Sequence, residues 1–399
     1  MSALENAKGL SREQVIEKVS ASDLQEYGVR HEKLSDCFAA AIQESIEEGK
    51  ERSVVAALNN ADTSGVLLDI LRTEPVKVME GISIAAYAMG TEKMVLHIPE
   101  YEEQLAETVK PDAEQYGINV VTGLVNVRES KGSLLLHIVT ALQLAELFLD
   151  TWEKGIYVSV NGAPLQKVTP AAKISDLADS GEAKAIQAGY QYYLPAQAGM
   201  TVEEAQIDNG VLKILTDQDC VVCETEKHLA VSRKQSCGKC VFCREGLLQL
   251  HHMQKEITEG RGKMEFTGLT KEIGGAMAVS TPCTMGQVSS KLALTAVELF
   301  EEEYKSHIKK KNCPAGVCSS FVNIYIDPSI CDGCGECADV CPKECIEGKP
   351  KYIHMIDDFD CDKCGKCIEV CDADAIIQTA GKVPKLPNRL TKVGKFRRH

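Results

Sequence analysis

The sequence lacks both a secretion signal and a stretch that could span a membrane. Its first twenty residues, MSALENAKGLSREQVIEKVS, are polar and predict a helix, not a leader peptide. The most apolar run, Leu134–Leu149, contains His137, Gln143 and Glu146, and it falls short of the roughly 20 apolar residues that a span needs. We therefore expect a cytoplasmic protein with no membrane span.

The sequence is also poor in positive charge and in aromatic residues. The formal net charge is −14 and aromatics make up 5% of the chain, with one Trp, which argues against nucleic acid as a main partner. Residues 382–399 depart from this pattern, because they contain seven Lys and Arg and no acid. Two interpretations of this basic tail stay open: a solvated end, or an arm that docks on an acidic partner subunit.

What the sequence has in abundance is cysteine, with 18 residues. In a reducing compartment, clustered thiols indicate metal ligation and not disulfides. Two runs share the spacing C-x2-C-x2-C-x3-C, and in two-cluster ferredoxins the fourth Cys of each run serves the other cluster. A pair of zinc ribbons would need two separated C-x2-C knuckles, which fits these triplets poorly. We predict two [4Fe–4S] clusters, one held by Cys331, Cys334, Cys337 and Cys371, the other by Cys361, Cys364, Cys367 and Cys341.

A third triplet occurs in SCGKCVFCREG, where Cys237, Cys240 and Cys243 repeat the same spacing. A fourth thiolate must come from elsewhere in the chain, and Cys283 in STPCTMG is the candidate. The triplet predicts a third [4Fe–4S] cluster, with zinc as the alternative that three close thiols leave open.

The remaining cysteines allow two interpretations. CPAGVC has a spacing suited to two zinc ligands, with His307 just upstream and DCVVC offering one or two more thiols. One interpretation is a structural zinc site built from Cys313, Cys318, His307 and either Cys220 or Cys223; the other is a set of buried free thiols. We interpret Cys37 and Cys345 as packing residues.

The cysteine segments and the stretches before them resemble a known family. SCGKCVFCREG, TPCTMG and the helix ending in EEEYKSHIKKKNCPAGVC resemble the NADH-binding flavin subunit of respiratory complex I. They resemble even more the β subunit of electron-bifurcating [FeFe]-hydrogenases, which carries a C-terminal two-cluster ferredoxin. NNAD followed by EPVKVMEGISIAAYAMGTEK resembles the family's flavin motif, so the resemblance covers about residues 53–380.

The same family places FMN on a glycine-rich loop of the type GRGGAGFP, which this sequence lacks. The corresponding stretch, AAAIQESIEEGKERSVVAALNNAD, has Gly49 alone among acidic residues, where a phosphate needs bare backbone N–H groups. The acidic–glycine motif GAGAYICGEET has no counterpart either. We expect that FMN and NADH binding are lost, and that Asn60, Asp62 and Glu80 remain as residues that hold loops together.

The expected fold is an α+β multidomain chain. Pro75 and Gly90 bound a predicted helix, Met94–Ile98 predicts a buried strand, and a charged helix should end before Pro111. Two amphipathic stretches, EGLLQLHHMQKEITEG and VSSKLALTAVELFEEEYKSHIKKK, predict later helices. With the resemblance, the segments are an N-terminal helical segment (1–50), a degenerate FMN/NADH-type α/β domain (51–153), a β-grasp-like module (154–225), a helical [4Fe–4S] domain (226–311), a bacterial-type two-[4Fe–4S] ferredoxin (312–380) and the basic tail (381–399).

These features predict an iron–sulfur electron-transfer subunit and no catalytic residues of its own. No nucleophile–base pair and no Walker-type loop is visible. Its partners would be flavoprotein or metalloenzyme subunits of one complex, with ferredoxin as a further candidate, and the resemblance extends the expectation to anaerobic, electron-bifurcating assemblies. The alternative is an NAD(P)H dehydrogenase subunit that still binds FMN. A zinc-rich scaffold or nucleic-acid-binding protein fits neither the net charge nor the paired cysteine runs.

Overall fold

The described chain divides into two units. The structure is a computed structural model and describes residues 2–380 and 383–396. One unit holds the chain up to Thr216 together with His228–His251 and Thr270–Leu299. The other holds Asp217–Lys227, His252–Leu269 and the chain from Phe300 onward.

Three helices open the first unit: α1 (Ala3–Lys8), α2 (Arg12–Ser22) and α3 (Leu34–Glu48). Ser2 and Ser11 start the first two as capping boxes, in which side chain and backbone exchange hydrogen bonds. The buried side chains of these helices, such as Val15, Val19 and Phe38, belong to the same hydrophobic core as the sheet that follows. The first 50 residues therefore pack as a layer of the α/β region.

A parallel sheet forms the centre of this region. Its elements are β1 (Ser53–Ala57), α4 (Asp69–Thr73), α5 (Pro75–Met89), β2 (Met94–Ile98), α6 (Glu103–Gln115), β3 (Ile118–Thr122), β4 (Ser133–His137) and α7 (Ile138–Phe148). The strand order is β3-β2-β1-β4, and every pair is parallel. The carboxyl ends of β1 and β4 thus lie side by side, so the segment after β1 and His137 meet at one edge.

The helix boundaries show one confirmed and one wrong prediction. Helix α5 begins at Pro75 and is capped by Gly90 in the left-handed region, as predicted. Helix α6 does not end at Pro111 but continues to Gln115. Pro111 is exposed, while Leu105, Val109 and Ala113 keep one buried face on both sides of it. Packing of that face offsets the hydrogen bond that proline removes.

Residues 156–215 form a second, mixed sheet around its own core. Its elements are β5 (Ile156–Val160), β6 (Gln166–Val168), α8 (Ile174–Leu177), β7 (Ala185–Ala188), β8 (Gln191–Tyr193) and β9 (Val211–Leu215). The order is β6-β5-β9-β7-β8, in which β5 and β9 are parallel and the other three pairs are antiparallel. Asn161 and Gly162 both have positive φ, as the tight Asn-Gly turn after β5 requires.

The middle of the chain is helical. It comprises α9 (Val221–Gln235), α10 (Val241–Thr258), α11 (Glu265–Ser280), α12 (Thr284–Val288), α13 (Lys291–Leu299) and α14 (Glu301–Lys305). The predicted boundary at residues 225 and 226 lies inside α9, so the helical part begins earlier than expected. The stretch predicted as one long helix also breaks at Phe300, because three acidic residues, Glu301–Glu303, favour a new helix N-terminus.

The C-terminal region consists of two short ribbons and two short helices. Its elements are β10 (Asn323–Ile326), α15 (Glu336–Asp339), β11 (Ile346–Glu347), β12 (Met355–Ile356), α16 (Lys366–Glu369) and β13 (Ile376–Thr379). β10 pairs with β13 and β11 with β12, both antiparallel. Predicted cluster cysteines such as Cys331, Cys337 and Cys367 belong to the small core between them.

The described part of the basic tail lies against this region. The backbone N–H of Ile353 donates to Thr391 O at 2.9 Å, that of Val393 to Lys351 O at 3.2 Å, and Phe396 packs on the small core. Residues 381, 382 and 397–399 of the predicted tail lie outside the described residues. Within the described ranges, no helix is long and apolar enough to cross a membrane.

Candidate functional site

The two ferredoxin-like cysteine runs form loops of the same shape. In the first, Gly335 has φ 102° and starts α15; in the second, Gly365 has φ 78° and starts α16. Glycine is suited to this backbone region, which other residues rarely enter. Asp332 Oδ1 accepts the N–H of Cys334 at 3.1 Å, and Asp362 Oδ1 accepts that of Cys364 at 3.3 Å. In each loop the third cysteine of the triplet, Cys337 or Cys367, is buried, and the middle one, Cys334 or Cys364, is exposed.

Each triplet also lies beside the fourth cysteine of the other run. The pKa of Cys337 is raised to about 12 and that of Cys367 to about 11, mainly by burial and in part by the charges of neighbouring thiols. The thiols that act on Cys337 are Cys331, Cys334, Cys367 and Cys371, while those that act on Cys367 are Cys361, Cys364 and Cys341. The donor sets are all sulfur, which is the chemistry that cubane clusters take.

The third triplet lies where α9 ends and α10 begins. Gly238, with φ 72°, turns the chain between the helices, and Cys243 falls in the first turn of α10. Burial raises the pKa of Cys243, and the charges of Cys283, Cys237 and Cys240 act in the same direction. The structure thus brings Cys283 to the triplet, as the sequence predicts.

Cys283 is held at the start of α12. Burial raises the pKa of its thiol, while hydrogen bonds from the backbone of Gly286 and Met285 and from the Asn60 side chain oppose that rise. Asn60 is itself held by two hydrogen bonds to the backbone of Val125. Its Nδ2 donates to Val125 O at 2.9 Å, and its Oδ1 accepts the N–H of Val125 at 3.2 Å. A residue of the NNAD segment therefore orients a candidate cluster ligand.

A second kind of metal site is formed by Cys220, His307, Cys313 and Cys318. All four are buried, and their donor atoms lie within 4.8 Å of one another. His307 Nε2 is 3.3 Å from Cys220 Sγ and 3.5 Å from Cys318 Sγ. Its Nδ1 must donate to Glu303 O, at 2.8 Å, because a carbonyl oxygen only accepts, and this leaves Nε2 free to bind a metal.

The surroundings of this group distinguish the two candidate thiols left open by the sequence. His307 lies in a single π turn, Ser306–Lys310, a distortion often found at functional positions. Cys223 stays outside the four-donor group, and its backbone N–H donates to Cys220 Sγ at 3.4 Å. The group thus contains Cys220, and three thiols with one imidazole match the closed donor set of structural zinc.

A cleft of about 740 Å³ borders the segment after β1 and is lined in part by Asn59, Asn60 and His137. Helix α3, whose Glu44 and Glu47 line the cleft, ends at Gly49, whose φ of 62° serves as a helix cap. Glu44 accepts the backbone N–H of Gly132 at 2.8 Å, and Glu48 pairs with Lys131 at 2.7 Å. Gly132 and Lys131 are thus bonded to carboxylates, while the cleft is also lined by Arg30 and Arg128.

A buried polar group that sequence reasoning missed lies beside this cleft. Asp62 accepts a hydrogen bond from the Tyr190 hydroxyl and lies 3.4 Å from His137 Nε2. The backbone N–H of His137 donates to Glu26, and burial raises the pKa of Glu26 to about 8. Only Asp62 belongs to a recognisable motif; the other residues come from distant segments that the fold brings together.

Comparison with protein families identifies two regions of the chain. Residues 224–307 match the NADH-ubiquinone oxidoreductase-F iron-sulfur binding region, and residues 323–372 match the 4Fe-4S dicluster domain. The chain is therefore an iron–sulfur protein of the electron-transfer class.

Its relatives are subunits of larger oxidoreductases. It is 35% identical over 146 residues to the NADP-reducing hydrogenase subunit HndC of Solidesulfovibrio fructosivorans, covering 37% of this chain and 30% of that protein. It is 25% identical over 116 residues to a subunit of the NADH-quinone oxidoreductase of Mycobacterium tuberculosis, covering 29% and 26%. The matched regions thus cover less than a third of the length of each of these relatives.

The fold has a counterpart among solved structures. The NAD+-reducing [NiFe]-hydrogenase in its H2-reduced state aligns with a TM-score of 0.64 and 15% sequence identity. The alignment covers 76% of this chain and 64% of that one. At this identity the likeness concerns the fold alone.

Proposed function

We propose that this chain is an electron-relay subunit that holds three [4Fe–4S] clusters and has no substrate site of its own. When bound, each cluster supplies one-electron transfer. The observation that carries the proposal is the gathering of twelve cysteines into three all-sulfur groups, two in the dicluster region and one at the start of α10.

The ligand sets are those that the sequence predicts. The proximity of Cys371 to the first triplet and of Cys341 to the second supports the crossed assignment in the dicluster region. The proximity of Cys283 to the third triplet supports it as the fourth ligand there. One cysteine of each set, Cys237, Cys334 or Cys364, is exposed at the surface, where an electron could enter or leave.

We further propose a structural zinc ion at Cys220, His307, Cys313 and Cys318. The compact, buried donor group supports it, and the hydrogen bond from His307 Nδ1 to Glu303 O orients the imidazole. Such an ion would tie the start of α9 to the segment before β10 and so stabilise the second unit.

The loss of FMN is also part of the proposal. It is supported by the carboxylates of Glu44 and Glu48 at the cleft rim and by the use of Gly49 as a helix cap. Asn60, Asp62 and Glu80 have internal partners instead, the last accepting the N–H of Ala3 at 3.1 Å.

The partners would be the subunits that perform substrate chemistry. The named relatives are a hydrogenase subunit and a quinone oxidoreductase subunit, which supports flavoprotein or metalloenzyme neighbours, with ferredoxin as a donor or acceptor and electron bifurcation as one use. The many free thiols support a reducing, cytoplasmic setting.

The deciding experiment is the cofactor content of the anaerobically purified chain. Acid-released flavin, iron, sulfide and zinc are measured on one sample. We expect no flavin, about twelve irons as three cubanes imply, and one zinc. The matched variant Cys240→Ala should lose iron from the third group alone. Stoichiometric FMN would favour the alternative, an NAD(P)H dehydrogenase subunit, and NADH oxidation would then be assayed.

A further inference from the structure

Five thiols, not four, surround the cavity of the second dicluster group. Cys341, Cys361, Cys364 and Cys367 line it together with Cys345. Cys345 is 5% exposed, and its Sγ lies 3.5 Å from Cys341 Sγ. The interpretation of Cys345 as a packing residue therefore leaves its position unexplained.

The second cysteine run has no thiol at the position that corresponds to Cys345, so the two runs can be compared. The first run continues CPKECI and the second CDADAI, so Cys345 corresponds to Ala375. The backbone N–H of Ala375 donates to Cys371 Sγ at 3.3 Å. The second run therefore packs with an alanine at this position. By analogy, packing does not require the sulfur atom of Cys345 in the first run.

The distance between the two sulfur atoms indicates how the extra thiol relates to the others. Thiolates on different irons of one cubane point away from each other. Two sulfur atoms in van der Waals contact, such as those of Cys341 and Cys345, therefore face the same corner of a cluster. The apolar side chains of Ile346 and Ile356 line the same cavity, together with the polar Asp362 and Lys366.

We propose that Cys345 is an alternative ligand that can replace Cys341 at the cluster bound by Cys361, Cys364 and Cys367. The inference rests on the proposed cluster assignment. The exchange is redox-neutral: the Cys341 sulfur leaves the iron as the Cys345 sulfur binds, and the Cys345 proton passes to the released Cys341 sulfur. This cluster then has two ligation states, whereas the other dicluster group, with Ala375, has one.

The test compares matched variants of the full chain, purified anaerobically, by iron content and by electron paramagnetic resonance of the reduced protein. Cys341→Ala should keep the parent's iron, with an altered spectrum from the new ligand. Cys371→Ala should lose about one to four irons, depending on whether an open cubane persists. Cys341→Ala combined with Cys345→Ala should lose as much as Cys371→Ala. An equal loss in Cys341→Ala alone would overturn the proposal.

A rescue variant guards against failure of Cys341→Ala to fold. Adding Ala375→Cys to Cys371→Ala builds the extra thiol into the second repeat and should restore the lost iron. No restoration, together with iron loss in Cys341→Ala, would refute the alternative ligand. A parent chain without about twelve irons, or Cys371→Ala with unchanged iron and spectrum, would instead refute the proposed cluster assignment, so the two failures are distinguishable.

Discussion

Glu26 links the N-terminal layer to the edge of the parallel sheet. Its carboxylate accepts the backbone N–H of His137, where β4 ends and α7 begins. Its other oxygen, Oε2, is buried and has no hydrogen-bond partner among the described residues. Burial accordingly raises the pKa of Glu26 from 4.5 to about 8, so the folded chain favours the neutral acid.

This predicts a pH dependence of stability. A raised folded-state pKa contributes stability that is complete below pH 4.5 and is lost as the pH rises through about 8. Glu26→Gln stays neutral, so its thermal midpoint should fall less than the parent's between about pH 5 and 8, the range in which only the folded chain keeps the proton. Each unit of pKa shift is worth about 1.4 kcal/mol. Parallel pH profiles for the two proteins would contradict the assignment, whatever their absolute midpoints.

The zinc group gives a second prediction at the residue scale. Replacing Cys313 and Cys318 together by Ser should remove zinc and lower the thermal midpoint, while the iron content stays that of the parent. Cys223→Ser is the matched control, because Cys223 adjoins the four-donor group without belonging to it. Zinc is measured by elemental analysis. A parent without zinc, or a double variant that retains it, would exclude this site.

At the scale of elements, α5 and α7 make a close helix contact in the first unit. A Cβ built on Gly81 would lie 1.8 Å from Ala141 O, so the two backbones touch where glycine has no side chain. This contact lets both helices pack on the sheet while nearly all of α7 stays buried. It also explains why a glycine is kept inside a helix, where it costs about 1 kcal/mol relative to alanine.

Gly81→Ala should therefore destabilise the protein by at least about 2 kcal/mol, since the helices must separate. Gly275→Ala is the control, because its Cβ would meet open space in α11, and alanine there should be neutral or stabilising. Thermal or denaturant unfolding of both variants measures the difference. Equal stabilities would show that the two helices can move apart at little cost.

At the scale of the whole molecule, the basic tail is the candidate contact with a partner. Its backbone is engaged with residues 351–353, while the side chains of Lys385, Arg389 and Lys395 are exposed. Changing these three to Glu should leave the backbone contacts and the iron content intact and weaken assembly with partner subunits, more so at low salt. Co-purification of the complex reports the effect. If assembly is not weakened, the basic tail is a solvated end and does not dock on a partner subunit.

Much of this organisation could be read from local patterns. The cysteine spacing predicted the ferredoxin-like runs, and Pro75 and Gly90 marked the ends of α5, because turn geometry and helix caps depend on neighbouring residues. Pro111 misled the prediction of α6, since burial of one helix face outweighs a single proline. The break at Phe300 was missed because the amphipathic pattern continues across it.

The sequence by itself determined the class of chemistry, since clustered thiols at fixed short spacing can form few sites other than metal centres. Only the tertiary structure decided which thiols come together over long separations. It brought Cys220 and not Cys223 into the four-donor group, placed Asn60 on Cys283, and set Cys345 against Cys341. The physical reason is that such proximity depends on the packing of whole elements, which no local pattern encodes.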